Sequence, residues 1–438
     1  MEGRSASLGY GTQSVNAGCR GHRRRPHRTF DARAGTPHYS FFNNQPDLII
    51  MDFSISAEQR AFVDTVRKVC QKEFAPRAIK YLDGTWPAEN MKRLGEIGVL
   101  GMAVPQEYGG SGLSILDTVL VLEEIGKVCY VTAMGALGEV GTQTRIIAAF
   151  APEEIKRKIL PRVATGEAML AICMTEPDAG TDVPSYKTNC TIKGDRVILR
   201  GAKTLISRAD IAEMFVVFTR VNNKPGAEGI GCVLVPGGAK GLLAKATYHT
   251  MGGEYLSDVV FDDVELPLEN LVIRDNGMKR LLSAFNTQRC LNPAICLGLA
   301  EGALEEAVKY MRERSAFGRK IGDFQGLRWK VADMYIQIEA ARGLLYRAAV
   351  SGGDFPDPTL AAMAKIYTNE MSIRVTSEAI QVHGGYGFTD EFAVSRFFRG
   401  TRYGSLGGGT TETLRNMVGR KLVEQMDLAS GCFGMEYF

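Results

Sequence analysis

Apolar residues recur every three to four positions from Ser56 to about Phe150, as in AEQRAFVDTVRKVCQKEF from Ala57 and ILDTVLVLEEIGKVC from Ile115. Turn-forming stretches, GTW at Gly84 and VPQEYGGSGLS at Val104, interrupt that period, so the segment predicts several helices. From about Ala164 to Asn270 the texture changes. CTIKGDRVILRG has a hairpin signal at Lys193 to Asp195, and MFVVFTRV, GIGCVLVP and DVVFDDVEL are β-branched or aromatic runs bounded by Gly, Pro and Asn. These predict a small antiparallel sheet. Helical spacing returns from Gly277 to about Leu428, and in GLRWKVADMYIQIEAARGLLYRAA the residues Val331, Tyr335, Ile338, Ala341 and Leu345 predict one core-facing stripe.

The expected class is α+β in the order α, β, α. The boundaries are a helical domain at 51–163, a β domain at 164–272, a helical bundle at 273–428 and a tail at 429–438. Residues 1–50 differ in kind, with seven arginines and no lysine against Glu2, Asp31 and Asp47, a net of +4. Since the whole chain carries +3, residues 51–438 carry −1. A nearly neutral body predicts no nucleic-acid footprint. The first fifty residues read as a disordered leader or as sequence ahead of a start at Met51, with an Arg-rich transit peptide or an RNA-touching tail as the other readings.

Composition narrows the rest. The chain has 438 residues, 45% hydrophobic and 23% charged, and no uncharged apolar run of about 18 residues, so no membrane span is expected. Nine cysteines without a CxxC pair argue against a disulfide framework and for a reducing compartment. The five histidines lack ligand spacing, so no metal site is expected.

Four short stretches carry candidate chemistry. ICMTEPDAGTD, from Ile172, sets hydroxyls around a Pro and Gly turn, which can offer donors to an anion or a polar ring edge. RSAFGRKIGDFQ, from Arg314, sets a fixed cation near Phe317 and Gln325. QVHGGYGF, from Gln381, is a glycine turn after a helix, and SLGGGTTETLRN, from Ser405, puts three glycines before hydroxyls and a helix. Each alone has a plain structural reading as a cap or surface contact.

Together, in this order and with GAKTLIS after the first, they resemble the acyl-CoA dehydrogenase family over nearly all of residues 51–428. The resemblance implies FAD, an acyl-CoA substrate, three domains (helical, antiparallel β-barrel or sheet, four-helix bundle) and a homotetramer or dimer with flavin sites formed across subunits. It also implies an electron-transferring flavoprotein as a partner. Location is then cytoplasmic in a bacterium, or the mitochondrial matrix if the leader is a transit peptide.

Carried over by position, the resemblance puts Thr175 at the flavin's pyrimidine edge, Thr181 near the pyrophosphate and Ser207 on the isoalloxazine, with Leu205 where a tryptophan is often stacked. Arg314, Phe317 and Gln325 match residues that reach a neighbouring subunit's FAD. Gln381, Gly384 and Gly385 match its pyrophosphate cradle, and Thr410 and Glu412 its last contacting segment. Asn286 and Arg289 match substrate-facing positions.

The family's base, a glutamate, stands in most members where Gly408 is here, and in one branch where Gln288 is here. An amide has no titratable lone pair near neutrality, so neither position supplies a base. Glu139, in GALGEVG, is the relocated candidate, with Glu176 and Glu412 as others. SAFNTQRC and LGGGTTETLR are most similar to the branch containing 3-sulfinopropionyl-CoA desulfinase, which also has Gln at the second position. Its sulfinate-binding Arg matches Met134, and Arg145 is not an obvious substitute, which weakens a sulfinate specificity. Three functions stay open: a dehydrogenase or reductase with an atypical base, an elimination lyase, and a non-catalytic acyl-CoA-binding flavoprotein.

Overall fold

The computed structural model describes residues 54–274 and 276–425; the leader at 1–50 and the tail at 429–438 lie outside the described residues. Helix α1 (Ala57–Val69) is opened by a reciprocal cap, with Ser56 Oγ accepting from the Gln59 N–H and Gln59 Oε1 accepting from the Ser56 N–H. It runs through one π turn into the short α2 (Ala75–Arg77). Then come α3 (Ala88–Glu96), α4 (Ile115–Gly126), α5 (Tyr130–Ala136), α6 (Thr142–Phe150) and α7 (Glu153–Thr165).

The β segment follows as β1 (Met169–Cys173), β2 (Asn189–Lys193), β3 (Arg196–Ser207), β4 (Ala212–Val221), β5 (Ile230–Pro236), β6 (Leu242–His249), β7 (Tyr255–Pro267) and β8 (Leu271–Ile273). Their order is β6-β7-β3-β2-β4-β5-β8, with β1 on β4. The hairpin at 193–195 forms as the sequence predicts, turning at Gly194 with φ 60°. The sheet is not antiparallel throughout, however, because β4 runs parallel to both β1 and β2. Side chains alternate identically in parallel and antiparallel strands, so the residue pattern carries no direction.

Five helices complete the chain: α8 (Gly277–Glu313), α9 (Gln325–Ala349), α10 (Pro358–His383), α11 (Ala393–Thr401) and α12 (Thr411–Gln425). A two-stranded hairpin, β9 (Ser315–Ala316) and β10 (Arg319–Lys320), separates α8 from α9. On α9 the core stripe runs through Met334, Ile338, Ala341 and Leu345. Tyr335, expected in it, is 57% exposed. Met334 and Tyr335 sit about 100° apart on the helix, and Met334, the nearer in angle to Ile338, is the buried one.

Two apolar layers position the site. One joins α4 and α5 to α8, α9 and α10, with Val119, Leu122, Leu291, Ile295, Leu345 and Met371 all buried. The other clamps α6, α7 and the start of α8 onto β1, β4 and β5 through Ile147, Leu160, Val216, Phe218 and Leu281. Each such side chain contributes roughly 1.5–3 kcal/mol by leaving water. Within the first layer Arg342 on α9 ties three helices, reaching Glu123 on α4 at 2.6 Å and Glu301 on α8 at 2.7 Å. Helix α8 is thereby held from both sides along its length. No helix among the described residues is long and apolar enough to cross a membrane.

Candidate functional site

The glycine run closes a turn between α11 and α12. Thr410 Oγ1 accepts from the Thr413 N–H at 3.3 Å and so caps α12. The Tyr403 ring fills the space beside Gly407, where a Cβ would stand 2.3 Å from ring carbons. Gly408 and Gly409 have φ of 75° and 90°, where side chains are strained. A Cβ built on Gly408 would lie 3.6 Å from Gln288 Cγ, 3.8 Å from Phe285 Cε1 and 3.4 Å from Lys365 Cε. Gly408 and Gln288 are therefore one place approached from two directions. Neither brings a carboxylate to it.

Beneath that place is Lys365, on α10 and fully enclosed. Its Nζ donates to the carbonyls of Gly404 at 2.8 Å and Gly409 at 2.9 Å. Burial pulls its ammonium down to about 8, and the Arg289 charge adds to that pull against Cys296 and Glu412. Arg289 is buried beside Gln288 on α8, and its Nη1–H donates to Asn286 Oδ1 at 2.7 Å. Asn286 in turn donates from Nδ2 to the Pro356 carbonyl. The structure brings Gln288, Gly408, Arg289 and Asn286 into one cluster and adds Lys365, which the sequence reading did not single out. A lysine among Ala361, Ala362 and Ala364 on a helix face was the available signal.

The other carboxylates are otherwise engaged. Glu139 is fully buried, accepts from the Leu170 N–H at 2.9 Å and pairs with Arg208 at 3.2 Å. Burial pushes its carboxyl up while Arg208 and the Leu170 N–H draw it back down. Those partners occupy both of its oxygens, which speaks against the base role expected for it. Glu176 pairs with buried Lys203 at 2.9 Å and accepts from the Lys187 and Thr188 N–H groups. Glu412 is exposed, and its own backbone N–H and the Thr410 hydroxyl hold its carboxyl below the usual range, which makes it a weak base.

Arg208 is the second residue the sequence reading missed. It sits at φ 62° in the β3–β4 turn, and its Nη1 reaches the carbonyls of Met134 and Gly135 as well as Glu139. Buried Met134 meets this guanidinium through its backbone carbonyl. Arg145 has its Nη2 3.4 Å from the Leu113 carbonyl.

The residues expected at the cofactor fall into separate groups. Thr175 is tied to β3, where the Thr204 N–H donates to its carbonyl at 2.9 Å, and Ser207 ends that strand after Thr204. Leu205 between them is half exposed at φ 58°, and Thr181 is exposed. Elsewhere Arg314 lies over the Tyr386 ring at 5.9 Å, which joins the β9 segment to the Gln381–Gly385 turn. Phe317, at the hairpin tip, is 95% exposed, and Gln325 and Gln381 are exposed as well. A Cβ on Gly384 or Gly385 would meet nothing within 4 Å.

The order of helical, sheet and helical segments defines a three-domain protein. The acyl-CoA dehydrogenase N-terminal, middle and C-terminal domain models match residues 56–167, 171–264 and 275–423. The chain belongs to the acyl-CoA dehydrogenase family. It is 33% identical over 378 residues to the short-chain specific acyl-CoA dehydrogenase of Clostridium acetobutylicum, covering 85% of this chain and 100% of that one. It is 35% identical over 386 residues to the 3-sulfinopropanoyl-CoA desulfinase of Cupriavidus necator, covering 85% and 96%. Among solved structures, butyryl-CoA dehydrogenase from Megasphaera elsdenii superposes with a TM-score of 0.82 at 31% identity, covering 85% of this chain and 100% of that one.

Proposed function

We propose that this chain is an FAD-dependent oxidoreductase of the Cα–Cβ bond of an acyl-CoA thioester, working without a carboxylate at either usual base position. The observation that carries this is the convergence of Gly408 and Gln288 on one point, with amide and ammonium around it instead of acid.

The exposed residues fit FAD as a group gripped between subunits. Gly384 and Gly385 offer bare backbone, and Arg314, Phe317, Gln325 and Gln381 project from the same end of the bundle. Thr175, Thr181 and Ser207 would hold the flavin from the sheet side, and Thr410 and Glu412 from the α12 side. When bound, FAD supplies the acceptor for a hydride leaving Cβ. This arrangement implies a homotetramer or dimer, with an electron-transferring flavoprotein as the electron partner.

The chain's own residues orient more than they titrate. Gln288 can donate to or accept from a substrate oxygen but cannot take the α-proton. Arg289 and Lys365 would set positive charge near an α-carbon held at that place and so stabilise negative charge developing there in a dry site. A substrate acidified in this way, or one able to lose its own leaving group, needs a weaker base than a simple acyl-CoA.

Anaerobic titration of the purified yellow protein with acyl-CoAs tests this reading. Bleaching of the flavin supports it, whereas sulfite release from 3-sulfinopropionyl-CoA without bleaching supports the second reading, an elimination lyase. The relation to the desulfinase and the amide at Gln288 favour keeping that second reading. Binding without either change overturns both and leaves a non-catalytic flavoprotein.

A further inference from the structure

Among the described residues burial raises the carboxyls of Glu123, Glu139 and Glu254. The first two are held by arginines, Arg342 and Arg208. Glu254, in the turn between β6 and β7, forms no ion pair among the described residues. Its Oε1 accepts from the Tyr130 O–H at 2.9 Å, and that phenol is the one partner its side chain has there, so Oε2 keeps its lone pairs. The Tyr130 ring is housed by two glycines, Gly252 and Gly400, where a Cβ would stand 2.4 Å and 2.8 Å from ring carbons. Gly400 lies on α11 one turn before Tyr403, so the Glu254–Tyr130 pair sits beside the end of α11 that leads into the glycine run.

Tyr403 connects that pair to the reaction centre. Its hydroxyl oxygen lies 2.5 Å from the position of a Gly407 Cβ, next to the place shared by Gly408 and Gln288. Burial, then Glu254 and Cys296, push this phenol up, while Arg208 and the Asn292 side chain draw it down. Asn292 stands one turn beyond Gln288 on α8, and its Oδ1 accepts from Asn369 Nδ2 at 3.0 Å. The Asn292 Nδ2 is left to donate to the phenol oxygen, which frees the phenol's own proton. Glu254, Tyr403, Gly407 and Gly408 are each partly open, although burial dominates the titration of the first two. Groups that are deep yet open line a recess.

We propose that Glu254 is the terminal proton acceptor of this site and takes the α-proton of the acyl-CoA through the Tyr403 hydroxyl. The inference rests on the acyl-CoA reading above and supplies the base that Gly408 and Gln288 lack. The Cα–H bond breaks and its proton joins the Tyr403 oxygen as that oxygen's own proton moves to Glu254 Oε2. Tyr403 ends unchanged and Glu254 ends as a neutral acid. The electron pair of the Cα–H bond stays with the acyl group as an enolate, or enters the Cα–Cβ bond as hydride leaves Cβ for bound flavin. Tyr130, donating to Oε1, keeps Oε2 for the proton. A carboxylate acting through a phenol is a weaker base than one in contact with the substrate.

The test is exchange of the α-hydrogens of 3-thiabutyryl-CoA in deuterated water, followed by NMR with FAD-loaded protein, because sulfur at position 3 has no hydride to give. Wild type should catalyse exchange, at a rate that falls as pH drops through the raised Glu254 carboxyl, which Tyr130, Arg208 and Tyr403 face. Glu254→Gln should slow exchange roughly 10²-fold at neutral pH and remove that acid limb, with the dissociation constant of the ligand unchanged within about twofold. Tyr403→Phe, which deletes one hydroxyl, should slow it as much, and carries the test should Glu254→Gln fail to fold. Adding Gln288→Glu to Glu254→Gln should restore exchange, which a repair of packing would not do. Exchange at the wild-type rate in either single variant overturns the inference and leaves the acyl-CoA reading standing, as does a wild type that binds the ligand without exchanging it. A flavin-loaded protein that binds neither this ligand nor butyryl-CoA overturns that reading and the inference with it.

Discussion

Gly408 and Gln288 face each other across 3.6 Å, measured from the position of a Gly408 Cβ to Gln288 Cγ. A carboxylate placed on either would occupy the same site. The two placements differ in backbone cost, because Gln288 lies on regular helix whereas Gly408 sits at φ 75°. Gln288→Glu should therefore raise the rate of flavin bleaching by butyryl-CoA by roughly 10²–10⁴-fold, the usual contribution of a positioned base. Stopped-flow absorbance measures it. No increase between pH 6 and 9 would show that the amide is not above the α-carbon.

Arg208 and Glu139 form a buried pair at 3.2 Å that links the β3–β4 turn to the helical domain. Arg208→Met strands a carboxylate that has no exposure, and should cost about 3–5 kcal/mol in urea denaturation. Adding Glu139→Gln to that variant should recover part of the loss. If the loss in the double variant equals the sum of the losses in Arg208→Met and Glu139→Gln measured singly, the pair carries no coupling energy.

Lys365 makes stability depend on pH with a definite sign. Burial lowers its ammonium to about 8 from the ordinary 10.5. Between these values the unfolded chain holds more proton than the folded one, so this residue makes stability rise with pH. Below pH 8 both states are protonated and the contribution is flat. Comparison with Lys365→Met isolates it: the difference in unfolding free energy should shift toward the wild type from pH 8 to 10.5, by at most about 3 kcal/mol. A difference that stays constant over that range would mean that Lys365 titrates normally.

Thiol chemistry offers a check on packing. Cys70, Cys129, Cys173, Cys190, Cys232, Cys290 and Cys296 are free and buried. Burial pushes all seven thiols up, and Cys173, Cys190, Cys290 and Cys296 reach about 12. The thiolate is the reactive form, so all seven should resist a disulfide-exchange reagent in the native protein. Of nine cysteines in the chain, at most Cys19 and Cys432, which lie outside the described residues, should react quickly, and all nine should react in denaturant. A third fast thiol in the native protein would contradict the packing.

Local signals in the sequence were sufficient for some of these features and silent on others. The 193–195 turn needed only a glycine and flanking strand residues, and it forms where the pattern places it. The helix at 325–349 was readable from its spacing, though Tyr335 was assigned to the wrong face, because an aromatic adds to an apolar stripe on paper wherever it stands. Strand direction was not readable at all, so the parallel run of β4 against β1 and β2 came only with the structure. At the site, Gln288 and Gly408 were found as two absences 120 positions apart, and only the fold shows them to be one. Lys365 and Arg208 act through partners on other elements, at Gly404, Gly409, Met134 and Glu139, and no spacing along the chain encodes such meetings.

The Tyr403 ring lying where a Gly407 side chain would begin has a consequence for ancestry. Any larger residue at 407 meets that ring at 2.3 Å, so the loop accepts one only if the tyrosine moves or is replaced together with it. Positions 403 and 407 thus constrain each other's replacement, and a change at one narrows what the other can hold.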